Sequence, residues 1–300
     1  MLGIARFAMR GPLQAIGASA AFALLALIFA PALYVSGGII RLVTLRRGAV
    51  AALQVMVAAS ALCAGAILGL TGHLGLAAML IVATWLPVWA ACLTLRRTES
   101  QGTALLNVGV CVAAYAGWVR LALPDVEAFW RERLNLLAEA VKQQGGKFLE
   151  HDALNAVSGM MHSASVAVMC ISLGGMVLLA RWWQAGLYNV GGFRLEYHAL
   201  TVPRWLLPLA GGVALLGTVL TSQGNPPGYV GDLLIVLVLL FATQGLAVLH
   251  AAVAIRALNG GWLVGTYILV GLVPHVVVPL LGAIGMADLV GNFRRRLSSL

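Results

Sequence analysis

The stretch SGMMHSASVAVMCISLGGMVLLA, residues 158–180, runs for 23 residues without an Asp, Glu, Lys or Arg. A helix needs about 20 predominantly apolar residues to cross a hydrocarbon core of ~30 Å, so this run reads as a bilayer-crossing helix rather than part of a soluble core. Working outward from it, apolar runs recur at 11–45, 48–70, 74–93, 102–123, 205–222, 231–255 and 261–290, which makes about eight hydrophobic segments in 300 residues. Composition agrees, with 61% apolar and 10% charged residues, against roughly 45–50% and about 25% in soluble domains. No water-soluble fold hides that much apolar surface. The expected fold is therefore all-α, a polytopic transmembrane helical bundle forming a single integral membrane domain over 1–300.

The first and last segments are too long for one simple crossing, since 11–45 as one helix would span roughly 50 Å at 1.5 Å per residue. Pro31, Gly37 and Gly38 interrupt the first, and Pro274 and Pro279 the last, so each end is expected to be a bent helix or a pair of shorter ones. The net charge of +9 reads as topology rather than as a nucleic-acid footprint, because the basic residues fall in short clusters between apolar segments. If both end segments fold back, 14 of the 19 basic residues lie on one side; if each crosses once, the split is 10 against nine. The first arrangement obeys the positive-inside rule and puts both termini in the cytoplasm, with Arg41 counted among the loop charges. The apolar N-terminal run, preceded by Arg6 and Arg10, is read as a retained first helix rather than a cleaved signal. Thr44–Arg47 and Thr94–Arg97 repeat the same four residues 50 apart, each preceding a hydrophobic segment, which reads either as positive stop signals or as the trace of a transporter-type structural repeat.

Residues 124–157 hold six of the ten acidic residues and are expected to form an extracytoplasmic amphipathic insertion. Within it, Val126, Phe129, Trp130, Leu134, Leu137 and Val141 share one helical face. That pattern predicts an interfacial amphipathic helix over about 125–142, started by Pro124 and Asp125 and stopped by Gly145 and Gly146.

Polar groups inside membrane segments are costly, so each is a candidate site. His151, Asn155, Ser158, His162 and Ser165 follow one another at i, i+4, i+7, i+11 and i+14, which keeps all five within about 40° of one line on a helix. That stripe suits the wall of a ligand cavity, or else a helix packing face made of small hydroxyl residues. Gln244, His250 and His275 are further ligand candidates within apolar segments. Arg181, Trp182, Trp183, Gln184, Tyr188, Asn189 and Glu196 mix aromatic and polar groups as an interface belt or a partner-docking surface does. Asp288, Asn292 and Arg295 continue one face and are expected to neutralise one another in a structural network.

No H-E-x-x-H, G-x-S-x-G, Walker A or metal-spaced His/Cys cluster is present, so no catalytic residue, cofactor or metal is expected and the chain is not read as an enzyme. Gly65 and Gly69 form a G-x-x-x-G pair, which points to close helix packing.

Three stretches carry a family resemblance: Leu45-Arg46-Arg47-Gly48, the run Arg181 to His198, and the ending Gly285-Met286-Ala287-Asp288 through Asn292-Phe293-Arg294-Arg295-Arg296. Together they resemble the YybS-type family of bacterial polytopic membrane proteins, over most of the chain. That family is distantly similar to the membrane-embedded substrate-binding subunits of energy-coupling-factor vitamin transporters. The resemblance implies a protein of the bacterial cytoplasmic (inner) membrane that captures a small molecule, with any ATP hydrolysis in other subunits; it carries no residue roles with it. Two functions are thus expected from the sequence. One is small-solute binding or transport. The alternative is a cell-envelope scaffold or assembly factor with a membrane or cytoplasmic protein partner, suggested by the 181–198 stretch and by the lack of evident paired intramembrane charges. The lipid bilayer is a partner in either case, and nucleic acid in neither.

Overall fold

The computed structural model describes residues 2–72, 75, 81–146 and 151–294. Over these the chain is all-α, with thirteen α-helices and one π-helical turn, Ile81–Trp85. In chain order the helices are α1 (Leu2–Met9), α2 (Pro12–Leu25), α3 (Ala32–Arg47), α4 (Ala49–Thr71), α5 (Leu86–Thr98), α6 (Gln101–Ala122), α7 (Val126–Gln143), α8 (His151–Tyr188), α9 (Gly192–His198), α10 (Leu206–Ser222), α11 (Gly228–Ile255), α12 (Gly261–Leu272) and α13 (Pro274–Gly291). Five of them, α4, α6, α8, α11 and α13, are long and apolar enough to cross a bilayer, and α2, α10 and α12 are shorter apolar helices. The expected segment at 74–93 falls partly outside the described residues; the part within them is the π-helical turn and the start of α5.

Two compact units divide the chain. The first comprises Met1–Val108, Ile171–Arg204 and Leu240–Leu300. At its centre lies α3, whose residues Val35 to Thr44 are all buried. The bareness of Gly37 and Gly38 lets Met176 and Trp183 of α8 sit directly on α3, because a Cβ at either glycine would meet those side chains within 3.0 Å. The helices α2 and α3 form a true hairpin. Ser36 Oγ donates to the Ser19 carbonyl (2.9 Å) in its middle, and Arg47 Nη2 donates to the Met9 carbonyl (2.7 Å) at its open end. The long N-terminal apolar run is thus a pair of helices turned by the segment around Pro31, and Arg6 and Arg10 return to the same end as Arg46 and Arg47. The two Thr-Leu-Arg-Arg repeats also meet: Arg96 Nη1 donates to the Thr44 carbonyl at 2.9 Å.

The long C-terminal run is likewise broken, here at Val273, because Pro274 has no N–H to continue the α12 ladder and disfavours helical geometry in the residue before it. With 12 residues, α12 is about 18 Å long, too short to cross a ~30 Å core by itself. Its Tyr267 hydroxyl hydrogen-bonds His250 Nε2 of α11 at 3.0 Å, while Ile255 of α11 and Arg294 beyond α13 line a common cavity. The chain therefore runs back along α11 and returns, bringing Arg294 beside the residues that close α11. One misplaced charge follows from this packing: Arg41 is not in a loop but inside α3, fully buried, with no hydrogen-bond partner for its guanidinium among the described residues.

The second unit comprises Gly109–Cys170 and Trp205–Leu239. The amphipathic segment forms α7, capped by the Asp125 carboxylate accepting from the Ala128 N–H at 2.9 Å, a contact worth about 1 kcal/mol to a helix. An Arg131–Glu127 pair one turn apart (2.9 Å) supports its exposed face, and Ala138 is its one buried residue.

Candidate functional site

The most organised polar site in the second unit is built from three helices. Asp232, in the second turn of α11, is completely buried. Its Oδ2 accepts from Arg120 Nε of α6 at 2.5 Å, and its Oδ1 from Ser163 Oγ of α8 at 3.1 Å. His162, the residue before Ser163, places Nε2 3.3 Å from the same carboxylate. That is a long, weak contact, and Nδ1 of this 4%-exposed imidazole has no hydrogen-bond partner among the described residues. Tyr115 of α6 faces the ring at 6.5 Å between centroids. Local sequence explains the placement. Arg120 lies in the last turn of α6, where a cation complements the helix dipole. Gly117, one turn earlier, lets the Tyr229 ring lie against α6 and donate to the Ala113 carbonyl at 3.1 Å, holding the start of α11 in register.

Of the sequence-predicted stripe on α8, His162 alone reaches this centre. Ser158 and Ser165 turn their hydroxyls back onto the Asn155 and His162 carbonyls (2.7 and 2.6 Å), a bond that satisfies a hydroxyl within its own helix. Asn155 is half-buried, and His151 begins the helix with its side chain outside the described set. The residues that hold the centre, Asp232, Arg120 and Ser163, are not among the sequence candidates. The signal is nonetheless present: Arg120 and Asp232 are the single Asp, Glu, Lys or Arg within the apolar segments 102–123 and 231–255. The absence of paired intramembrane charges expected from sequence is thereby corrected.

The first unit holds the other candidates. The Arg181 guanidinium forks onto Glu196, with Nε to Oε2 at 2.6 Å and Nη2 to Oε1, while its Nη1 donates to Gln184 at 2.7 Å. Gln101 Nε2 adds a third donor to Glu196 at 3.0 Å. This bidentate arrangement is the strong form of an ion pair, and it ties α9 to α8. Trp183 is fully buried against Gly38, whereas Trp182 and Tyr188 are exposed and Asn189 lies in the exposed turn. Gln244 is saturated: it accepts from the Val202 N–H (2.9 Å) and donates to the Gly285 carbonyl and to Asp288 Oδ2 (both 3.1 Å). Asp288 also takes Arg294 Nη2 at 2.6 Å, and Arg294 Nη1 donates to the His198 and Leu200 carbonyls at 2.6 and 3.0 Å. Asn292 instead reaches toward Arg204 at 3.5 Å. The helix stops at Gly291 with Asn292 in a left-handed conformation, φ 47°, so the face shared by Asp288 and Asn292 does not continue; Arg295 lies outside the described residues.

His250, besides Tyr267, meets the edge of Tyr197 at 5.3 Å between centroids, and His275 is exposed in the first turn of α13. Outside the apolar spans, burial together with nearby Arg194 holds the His198 imidazole below its ordinary value, and burial with neighbouring Tyr267 pushes the Tyr197 phenol up. A cavity of about 620 Å³ opens beside this group, lined by His198, Thr201, Arg204, Asp288, Asn292 and Arg294 among others.

No family model matches this sequence, and neither does any curated protein or solved structure.

Proposed function

We propose that this is a multi-pass protein of the bacterial cytoplasmic membrane that binds a small solute between its helices in the service of transport, with no ATPase of its own. The observation that carries the reading is the Asp232 centre. A buried ion pair adds little stability relative to apolar side chains of the same volume, so stability is a poor reason to keep one. Ionisable residues in bilayer-crossing segments typically mark solute or proton paths. Here the carboxylate is fully buried and partnered by Arg120 and Ser163, while His162 beside it directs Nε2 toward the carboxylate at 3.3 Å and leaves Nδ1 without a hydrogen-bond partner among the described residues. A solute with one hydrogen-bonding group would complete that imidazole. The YybS-type resemblance supports the same function. In this reading the two termini are cytoplasmic and residues 124–157 lie outside.

Thermal unfolding of the detergent-solubilised protein against a panel of amino acids, nucleosides, water-soluble vitamins and carboxylates tests the proposal. One class should raise the midpoint of the wild-type protein and leave Asp232→Asn and His162→Gln unmoved. If no compound stabilises the wild type, or both variants respond as it does, the Asp232 centre is not a solute site.

A further inference from the structure

The arginines of the first 98 residues have no acid of their own. Seven fall in that stretch, and the first acidic residue of the chain is Glu99. Three of them converge on one place. A cavity of about 340 Å³ is lined by Arg6, Met9, Arg10, Leu187 and Tyr188, and the Arg46 guanidinium lies over the Tyr188 ring, 3.7 Å from its centroid. None of these three arginines forms an ion pair among the described residues.

The scaffold that presents them is docked. Ala5 and Ala8 of α1 are fully buried, Leu2 packs over Gly186 of α8, and Arg47 holds the end of α1 through the Met9 carbonyl at 2.7 Å. With that face fixed inward, Arg6 is exposed on α1 and Arg10 is exposed in the bend just past its end. Tyr188 is the last residue of the 37-residue apolar span that begins at Asp152, a helix longer than the ~30 Å hydrocarbon core, so the cavity lies at a helix end rather than in the middle of the apolar run. Next to Arg6 and three residues after Arg10 in the sequence, Phe7 is 46% and Leu13 77% exposed.

We infer that this cavity seats the phosphodiester headgroup of an anionic phospholipid, with its acyl chains along Phe7 and Leu13. Guanidinium forks match phosphate oxygens in pairs, and basic pockets at the cytoplasmic ends of membrane helices are where anionic headgroups bind. The adjoining exposed apolar residues select a lipid over a free phosphate. The inference does not depend on the Asp232 centre.

The test uses the full chain in detergent, titrated with phosphatidylglycerol, with phosphatidylcholine of the same acyl chains, or with inorganic phosphate, and read by native mass spectrometry and thermal unfolding. Phosphatidylglycerol should bind and raise the unfolding midpoint of the wild type, while the other two have little effect. Each basic residue near an anionic surface is worth a factor of about five in affinity, so Arg6→Gln/Arg10→Gln should bind roughly 25-fold more weakly, and adding Arg46→Gln should weaken it on the order of a hundredfold. Arg131→Gln/Arg133→Gln, which removes two arginines from α7, should bind as the wild type does. Equal binding of the two lipids, equal loss in the α7 variant, or an equal response to inorganic phosphate would each overturn the headgroup assignment. The double variant replaces exposed side chains only, so its binding remains readable even if the triple variant fails to fold.

Discussion

At the scale of single residues, the energetics of Asp232 turn on what is left behind when a partner is removed. Taking one member from a buried ion pair strands the other charge, and that penalty exceeds the value of the pair itself. Arg120→Met should therefore destabilise the protein by about 3 kcal/mol, the lower end for a buried pair, since the Arg120 side chain is 28% exposed while Asp232 is fully enclosed. The double variant Arg120→Met/Asp232→Leu, with no charge stranded, should recover most of that loss. Chemical unfolding of the four proteins in one double-mutant cycle measures the coupling, and additive losses would mean the two side chains do not stabilise one another. His162 is legible in the sequence because the stripe on α8 is a local pattern, five residues on one helical line. Its carboxylate partner is not, because Arg120 and Asp232 are 112 residues apart and no local periodicity links them. Arg41 is hidden for a related reason. Sequence places it in a run of basic residues ending an apolar segment, but α3 continues through it, and whether a helix end is enclosed depends on neighbours far along the chain.

At the scale of elements, helix existence is the readable part and helix contact the unreadable one. Pro31 and Pro274 mark the breaks that become the α2–α3 hairpin and the α12–α13 break, because proline acts on its own backbone, whereas Gly37 and Gly38 lie inside α3 and Pro279 inside α13, so the interruptions expected at those three residues do not occur. Packing is different, since the same small residue opens onto lipid or onto another helix. The G-x-x-x-G pair Gly65 and Gly69 is expected at a close contact, yet a Cβ added at either meets nothing within 4 Å among the described residues. The close approach occurs between α11 and α13, where a Cβ on Gly245 would fall 1.9 Å from the Leu281 carbonyl oxygen and one on Gly285 would fall 2.1 Å from that of Phe241. Alanine should thus have opposite effects at the two places. Gly245→Ala and Gly285→Ala force two backbones apart, at a cost of about 1–3 kcal/mol for overpacking, and strain the Gln244–Gly285 bond with them. Gly65→Ala removes backbone freedom in mid-helix without a clash and should gain about 0.5–1 kcal/mol. Unfolding midpoints of the three variants settle the sign at each site; a loss at Gly65 as large as at Gly285 would place an unseen contact on α4.

At the scale of the whole molecule, the scarce charge is distributed by compact unit. The first unit carries 14 basic and three acidic residues, and the second five basic and seven acidic. The 14 are the same residues that fall on one side when both end segments fold back. Two local contacts make those folds concrete: Arg47 reaches Met9 across the open end of the α2–α3 hairpin, and Arg294 shares a cavity with Ile255 at the close of α11. Had the last run crossed once, Arg256 and Arg294 would lie on opposite faces of the bilayer. The proposed orientation, which puts this positive charge in the cytoplasm, is open to direct measurement. Single cysteines at Asn135, Val190 and Leu258, all exposed, can be probed in intact cells with a membrane-impermeant maleimide. Among the native thiols Cys63, Cys92 and Cys170 are buried, so replacing the half-buried Cys111 by Ser gives a quiet background. The cysteine at 135 should label in intact cells, and those at 190 and 258 only after permeabilisation. External labelling at 258 with 190 protected would break the C-terminal fold-back alone, whereas external labelling at both would invert the whole orientation and move the Asp232 centre to the cytoplasmic half.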